Sequence, residues 1–85
     1  MISDYRFTKQ AVKDVSRLPK NYQRKILKKL DFIVKSGEPL KYAKKMVDSE
    51  LGEYRFRIGD YRVIFDVETT FLKILTIGHR REVYR

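Results

Sequence analysis

In Tyr54-Arg55-Phe56-Arg57-Ile58-Gly59-Asp60-Tyr61-Arg62-Val63-Ile64-Phe65, apolar and basic side chains alternate on both sides of a Gly-Asp step. Alternation with a period of two marks a strand with one buried face, and Gly at the first central position of a two-residue loop marks a tight hairpin. With Gly59-Asp60 as that loop, Ile58 lies opposite Tyr61, Arg57 opposite Arg62, Phe56 opposite Val63 and Tyr54 opposite Phe65. Tyr54, Phe56, Ile58, Tyr61, Val63, Phe65 and Val67 then share one face, while Arg55, Arg57 and Arg62 share the other with Ile64 between them. A one-residue slip would exchange the two faces, so the pattern fixes the register.

Downstream, the second strand runs to Val67, a turn follows at Glu68 to Thr70, and Phe71 to Ile77 reads as a further strand. Upstream, residues 40–52 lack a clear period and read as a loop with a short helical turn around Lys41 to Met46. Before them, Tyr22, Ile26, Leu27, Leu30, Ile33 and Val34 recur at helical steps, with Arg24, Lys25, Lys28 and Lys29 on the other face. Pro19 suits the start of this helix and Gly37 followed by Pro39 its end. Ala11, Val12, Val15 and Leu18 mark a shorter helix capped by Thr8, and Ile2 to Phe7 alternates as a first strand. The order predicts an α+β fold: an N-terminal strand, a helical hairpin and an antiparallel three-stranded meander, with the helices packed on one face of the sheet. Residues 1–85 read as a single domain, since a chain this short cannot bury two cores.

The composition excludes several chemistries. Without cysteine there are no disulfides, no thiolate nucleophile and no cysteine-based zinc site, and His79 alone cannot build a histidine-rich metal site. No apolar run approaches the roughly 18 residues of a membrane helix, and Met1 to Arg6 does not read as a signal peptide, so the expected location is the cytoplasm. Twenty Lys and Arg against eleven Asp and Glu give a net charge of +9. In so small a domain this favours a polyanionic partner, because each cation set against a phosphate releases a condensed counterion.

The arginine face sharpens that inference. Like charges directly opposite each other on neighbouring strands cost up to about 1 kcal/mol, so Arg57 facing Arg62 beside Arg55 is unfavourable unless an anion sits there. Gly78 offers a place for a bulge that turns Arg80 toward the same face. Tyr84 is a candidate for proton transfer, since neighbouring cations favour the phenolate.

Gly52-Glu53-Tyr54-Arg55-Phe56-Arg57-Ile58-Gly59-Asp60-Tyr61-Arg62-Val63-Ile64-Phe65, with Ile77-Gly78-His79-Arg80-Arg81-Glu82-Val83-Tyr84 behind it, resembles the RelE/ParE toxin superfamily across essentially the whole chain. The resemblance implies a toxin of a toxin–antitoxin pair and, in the RelE branch, a ribosome-dependent endoribonuclease. Such an enzyme cuts mRNA in the A site by attack of a 2′-hydroxyl on the adjacent phosphate, with no metal or other cofactor. The expected partners are a cognate antitoxin, the ribosome and mRNA, with no membrane.

By the same resemblance, Arg57 and Arg62 would stabilise the pentavalent phosphate, Arg80 would hold the phosphate and help the leaving oxygen, and Tyr84 would move a proton. Arg55, His79, Arg81, Lys28 and Lys29 are the expected RNA contacts. Some relatives carry lysine where this chain has Arg55 and Arg57, and an arginine cannot act as a base, which leaves proton transfer to Tyr84 or His79. The competing readings are a ParE-like gyrase inhibitor and a non-catalytic nucleic-acid-binding regulator on the same fold.

Overall fold

The computed structural model describes residues 1–84. Strand β1 (Asp4–Phe7) leads into helices α1 (Lys9–Ser16) and α2 (Lys20–Lys35). A 3-10 turn (Pro39–Tyr42) and β2 (Ala43–Lys45) precede the meander of β3 (Tyr54–Ile58), β4 (Tyr61–Val67) and β5 (Phe71–His79). The sheet order is β1-β5-β4-β3-β2, with β1 parallel to β5 and the other pairs antiparallel. The α+β class and the meander agree with the sequence reading. The sheet is wider than the meander alone, because β2 adds an edge strand from a segment read as a loop, and the helical turn there begins at Pro39 instead of Lys41.

Both helices cover one face. Ala11 of α1 and Ile26, Leu30, Ile33 and Val34 of α2 pack with Phe56, Ile58, Val63, Phe65, Leu72, Ile74 and Ile77 in a single core. Phe56 and Phe65 stack at its centre, 4.2 Å between ring centroids, an arrangement worth about 0.5–1.5 kcal/mol beyond the area it buries. Val12, Tyr22 and Leu27, assigned by spacing to the core stripe, lie on its margins and stay exposed, with Tyr22 resting against Tyr61. Gly37 closes α2 with φ +79°, the left-handed conformation that glycine adopts without cost.

The predicted bulge is displaced. Gly78 stays in register opposite Arg62, whereas Ile64 pairs with Thr76 and Phe65 with Ile74, leaving Leu75 as the extra residue. Thr8 anchors this irregularity: its hydroxyl donates to the Leu75 carbonyl (2.9 Å) and accepts the Ala11 N–H (3.1 Å), so one side chain caps α1 and satisfies the bulge. Asp14 makes the second link, accepting from Thr76 Oγ1 (2.6 Å) and the Ile77 N–H (3.0 Å).

On the β1 side, the Tyr5 hydroxyl donates to Asp31 (2.8 Å). Burial, with Asp31 beside it, pushes the Tyr5 phenol up to about 12. A raised phenol stabilises the fold at pH values below the ordinary tyrosine value near 10, and that contribution is lost as pH rises through about 12. Unfolding titrations between those limits are expected to show the native chain losing stability more steeply than Tyr5→Phe. Parallel curves would remove Tyr5 from the alkaline transition.

Candidate active site

The sheet face opposite the helices carries the arginines. Gly59, at φ +60°, occupies the first central position of the β3–β4 turn, as a type II′ hairpin requires. The register is the one read from sequence: Ile58 with Tyr61, Arg57 with Arg62, Phe56 with Val63 and Arg55 with Ile64. Lys44 of β2 pairs with Arg55. Arg55, Arg57 and Arg62 together with Lys41, Tyr42, Ala43 and Lys44 line a cleft of about 260 Å³. Five of its seven lining residues are cations and none is a carboxylate, a composition that suits an anion.

The three arginines are held differently. Arg62 is 9% exposed, and its guanidinium donates to the carbonyls of Gly59 (3.0 Å) and Tyr61 (3.1 Å). Arg55 is half-buried, with Cζ 5.8 Å from the centroid of the Tyr84 ring. Arg57 is exposed, and among the described residues none of the three has a carboxylate within ion-pair distance.

Tyr84 reaches this face because the chain folds back after β5. The Glu82 and Val83 N–H groups both donate to the His79 carbonyl, forming a turn that seats Val83 on Gly78. A Cβ at Gly78 would lie 3.3 Å from Val83 Cβ, so glycine gives the turn its close approach. Arg80 sits beside the hairpin turn: its N–H donates to the Asp60 carbonyl (2.8 Å) and its Nε lies 3.7 Å from Asp60 Oδ1. Arg62 of β4 and Arg80, just past the end of β5, therefore converge on the Gly59–Asp60 dipeptide.

His79 is not part of this group. It meets Tyr61 edge-on at 5.7 Å, accepts the Arg81 N–H at Nδ1 (3.2 Å), and lines a separate cleft with Asp14, Arg17 and Glu82. Arg81 is exposed on the terminal turn. Lys28 and Lys29 are exposed on α2 and border a groove that includes Arg57. Sequence reasoning missed Lys41, Tyr42 and Lys44. The only signal for them was the basic run Lys41-Tyr42-Ala43-Lys44-Lys45 in a segment without period.

The open face is also less open than strand alternation implies. Ile64, placed by register among the arginines, is fully buried yet lies outside the helix-side core. The loop between β2 and β3 covers it: a Cβ on Gly52 would come within 2.7 Å of Ile64 Cγ2 and 2.8 Å of Leu75 Cδ1. The arginine cleft is thus bounded by a small second core.

A family model described as the ParE toxin of the type II toxin–antitoxin system parDE matches residues 5–84. Toxin RelG of Mycobacterium tuberculosis is 33% identical over 82 residues, covering 94% of this chain and 93% of that protein. Among solved structures, the toxin–antitoxin complex RelBE2 of M. tuberculosis superposes with a TM-score of 0.76 at 28% identity, covering 94% of this chain and 100% of the matched one. The RelE–RelB complex of Pyrococcus horikoshii gives 0.72 at 32% identity, covering 96% and 99%. Fold, motif and relatives agree, and the chain belongs to the RelE/ParE family of type II toxin–antitoxin toxins.

Proposed function

We propose that this toxin is a ribosome-dependent endoribonuclease that cuts mRNA in the A site, acting in the cytoplasm. The observation that carries the reading is the cleft of five cations without a carboxylate, flanked by Tyr84 against Arg55. In the reaction the 2′-oxygen forms a bond to phosphorus, the bond from phosphorus to the 5′-oxygen breaks, and a 2′,3′-cyclic phosphate results. One proton leaves the 2′-hydroxyl and one is delivered to the departing 5′-oxygen.

Arg57 and Arg62 face the charge that builds on the phosphate. Preorganisation counts most for Arg62, whose guanidinium is already fixed by two carbonyls and need not reorganise. Arg80 exchanges Asp60 for the phosphate at little cost, since an exposed ion pair is worth about 0–1 kcal/mol, and then assists the leaving oxygen. Tyr84 moves the proton, while Arg55 supports its ring and anchors RNA. His79 and Arg81 extend the RNA contact beyond the cleft, and Lys28 with Lys29 extends it along α2.

The matched toxin–antitoxin complexes support a cognate antitoxin as partner, and the charge of this basic surface makes it the place we assign to that partner. The rival gyrase-inhibitor reading has the ParE description of the family model in its favour. Against it stands a cleft whose charge suits a phosphate. Mapping RNA 5′ ends in a translating extract separates the two, with naked RNA in parallel. Cuts within translated codons are expected for the native toxin. Tyr84→Phe is expected to lower them by about 10²–10⁴-fold, the usual contribution of a positioned proton donor or acceptor, with unchanged thermal unfolding. Absence of cuts in every sample would transfer the assignment to gyrase inhibition or to non-catalytic nucleic-acid binding.

A further inference from the structure

β2 pairs only with Tyr54, Arg55 and Phe56, so the end of β3 runs on past its edge neighbour. Between that end and α2 lies a groove of about 500 Å³, separate from the arginine cleft but sharing Arg57 with it. Lys25, Lys28 and Lys29 of α2 supply its other cations, no carboxylate lines it, and its apolar surface is Phe32 with Ile58. Phe32 is 55% exposed, so its ring adds little to the core. It meets Tyr42 edge-on at 5.8 Å, and Tyr42 in turn lines the arginine cleft. Lys29 Nζ stands 5.2 Å from the Phe32 centroid and 6.0 Å from that of Tyr42.

An exposed aromatic face beside a file of cations is the composition by which proteins hold single-stranded nucleic acid: cations track the backbone and the ring takes a base. We propose that this groove is a nucleotide subsite, holding the RNA residue next to the phosphate in the arginine cleft. Its base rests on Phe32 and its backbone runs among Lys25, Lys28 and Arg57. The proposal builds on the nuclease reading of the cleft. An acidic protein segment would match the charge equally well. The shared Arg57 and the Phe32–Tyr42 contact favour RNA, because they make cleft and groove one continuous positive path. Stacking accepts every base, so the subsite secures the strand with little regard to sequence.

The test uses short 2′-O-methyl RNA, which cannot be cleaved, in a series with one abasic residue moved along the strand. Binding to the full chain is read by fluorescence anisotropy. For the native toxin, one abasic position is expected to weaken binding by about tenfold, the scale of one base on one aromatic ring. Phe32→Ala is expected to bind the intact strand about tenfold more weakly and to lose nothing further with that abasic strand. Phe32→Tyr should restore the native pattern, which a merely structural role of the ring would not require.

Lys25→Ala with Lys28→Ala should keep the abasic penalty but reduce the slope of log affinity against log salt by about 1.4, given roughly 0.7 per phosphate contact on a single strand. An abasic penalty that persists in Phe32→Ala overturns the subsite. So does a series in which no position matters while Arg57→Gln still weakens binding, an outcome that leaves the cleft reading standing. If the native toxin binds no RNA in the absence of the ribosome, the subsite is overturned, while cleavage in the translating extract still decides the cleft reading. If Phe32→Ala keeps full RNA affinity but no longer holds an antitoxin, the groove is a protein-docking surface and the proposal is wrong.

Discussion

Arg57→Gln is expected to lower RNA cleavage by about 10²–10³-fold, the usual loss when one preorganised donor to a developing anionic charge is removed, and to raise the melting temperature. The two effects share a cause. Arg57 faces Arg62 directly across the β3–β4 ladder with no carboxylate beside either among the described residues. Glutamine keeps most of the stem and removes the charge, relieving a repulsion worth up to about 1 kcal/mol. In a domain of this size that corresponds to a gain on the order of 5 °C. The gain should shrink at high salt, where exposed charges are screened. Cleavage assays and thermal unfolding at two ionic strengths check both halves. A variant that loses activity and melts earlier would mark Arg57 as part of the scaffold.

Gly52→Ala is expected to destabilise the toxin by roughly 2 kcal/mol, within the range for forcing extra atoms into a packed site, and to lower its melting temperature on the order of 10 °C. The new methyl would arrive 2.7 Å from Ile64 Cγ2, on a side chain that is fully buried in the middle strand. Leu75 Cδ1, at 2.8 Å, is the end of a longer side chain and can yield; Ile64 cannot do so without moving β4. The strain falls on the strand that carries Arg62, so cleavage is expected to fall along with stability. Denaturant unfolding measures the first effect, and an unchanged midpoint would mean that the loop lifts away freely.

The hairpin was legible because its register is overdetermined. A two-residue loop and seven apolar residues on one face leave one pairing, and the facing arginines follow from it. α2 was legible for the same reason, through Ile26, Leu30 and Ile33. What escaped lies where the chain has no period. Residues 43–45 become a strand only because β3 offers them an edge, and nothing local in Ala43-Lys44-Lys45 specifies that. The bulge at Leu75 depends on Thr8 and Asp14, from the other end of the chain. Strand parity put Ile64 and Arg62 on one face, but only the tertiary packing of Gly52 separates a buried residue from a site residue there. Tyr84 beside Arg55 likewise required the close seat of Val83 on Gly78.

The pairing of β1 with β5 also sets when the chain can fold. β1 finds its partner only in β5, and seven of the twelve buried residues of the helix-side core come from β3, β4 and β5. Such non-local pairing closes late, since loop entropy must be overcome before the contacts form. At about 5–20 residues per second, most of the chain waits unfolded until β5 has emerged. Arrested nascent chains ending before Phe71 lack the partner of β1 and are expected to be protease-sensitive. The interval before β5 closes the sheet is one in which the chain is still unfolded.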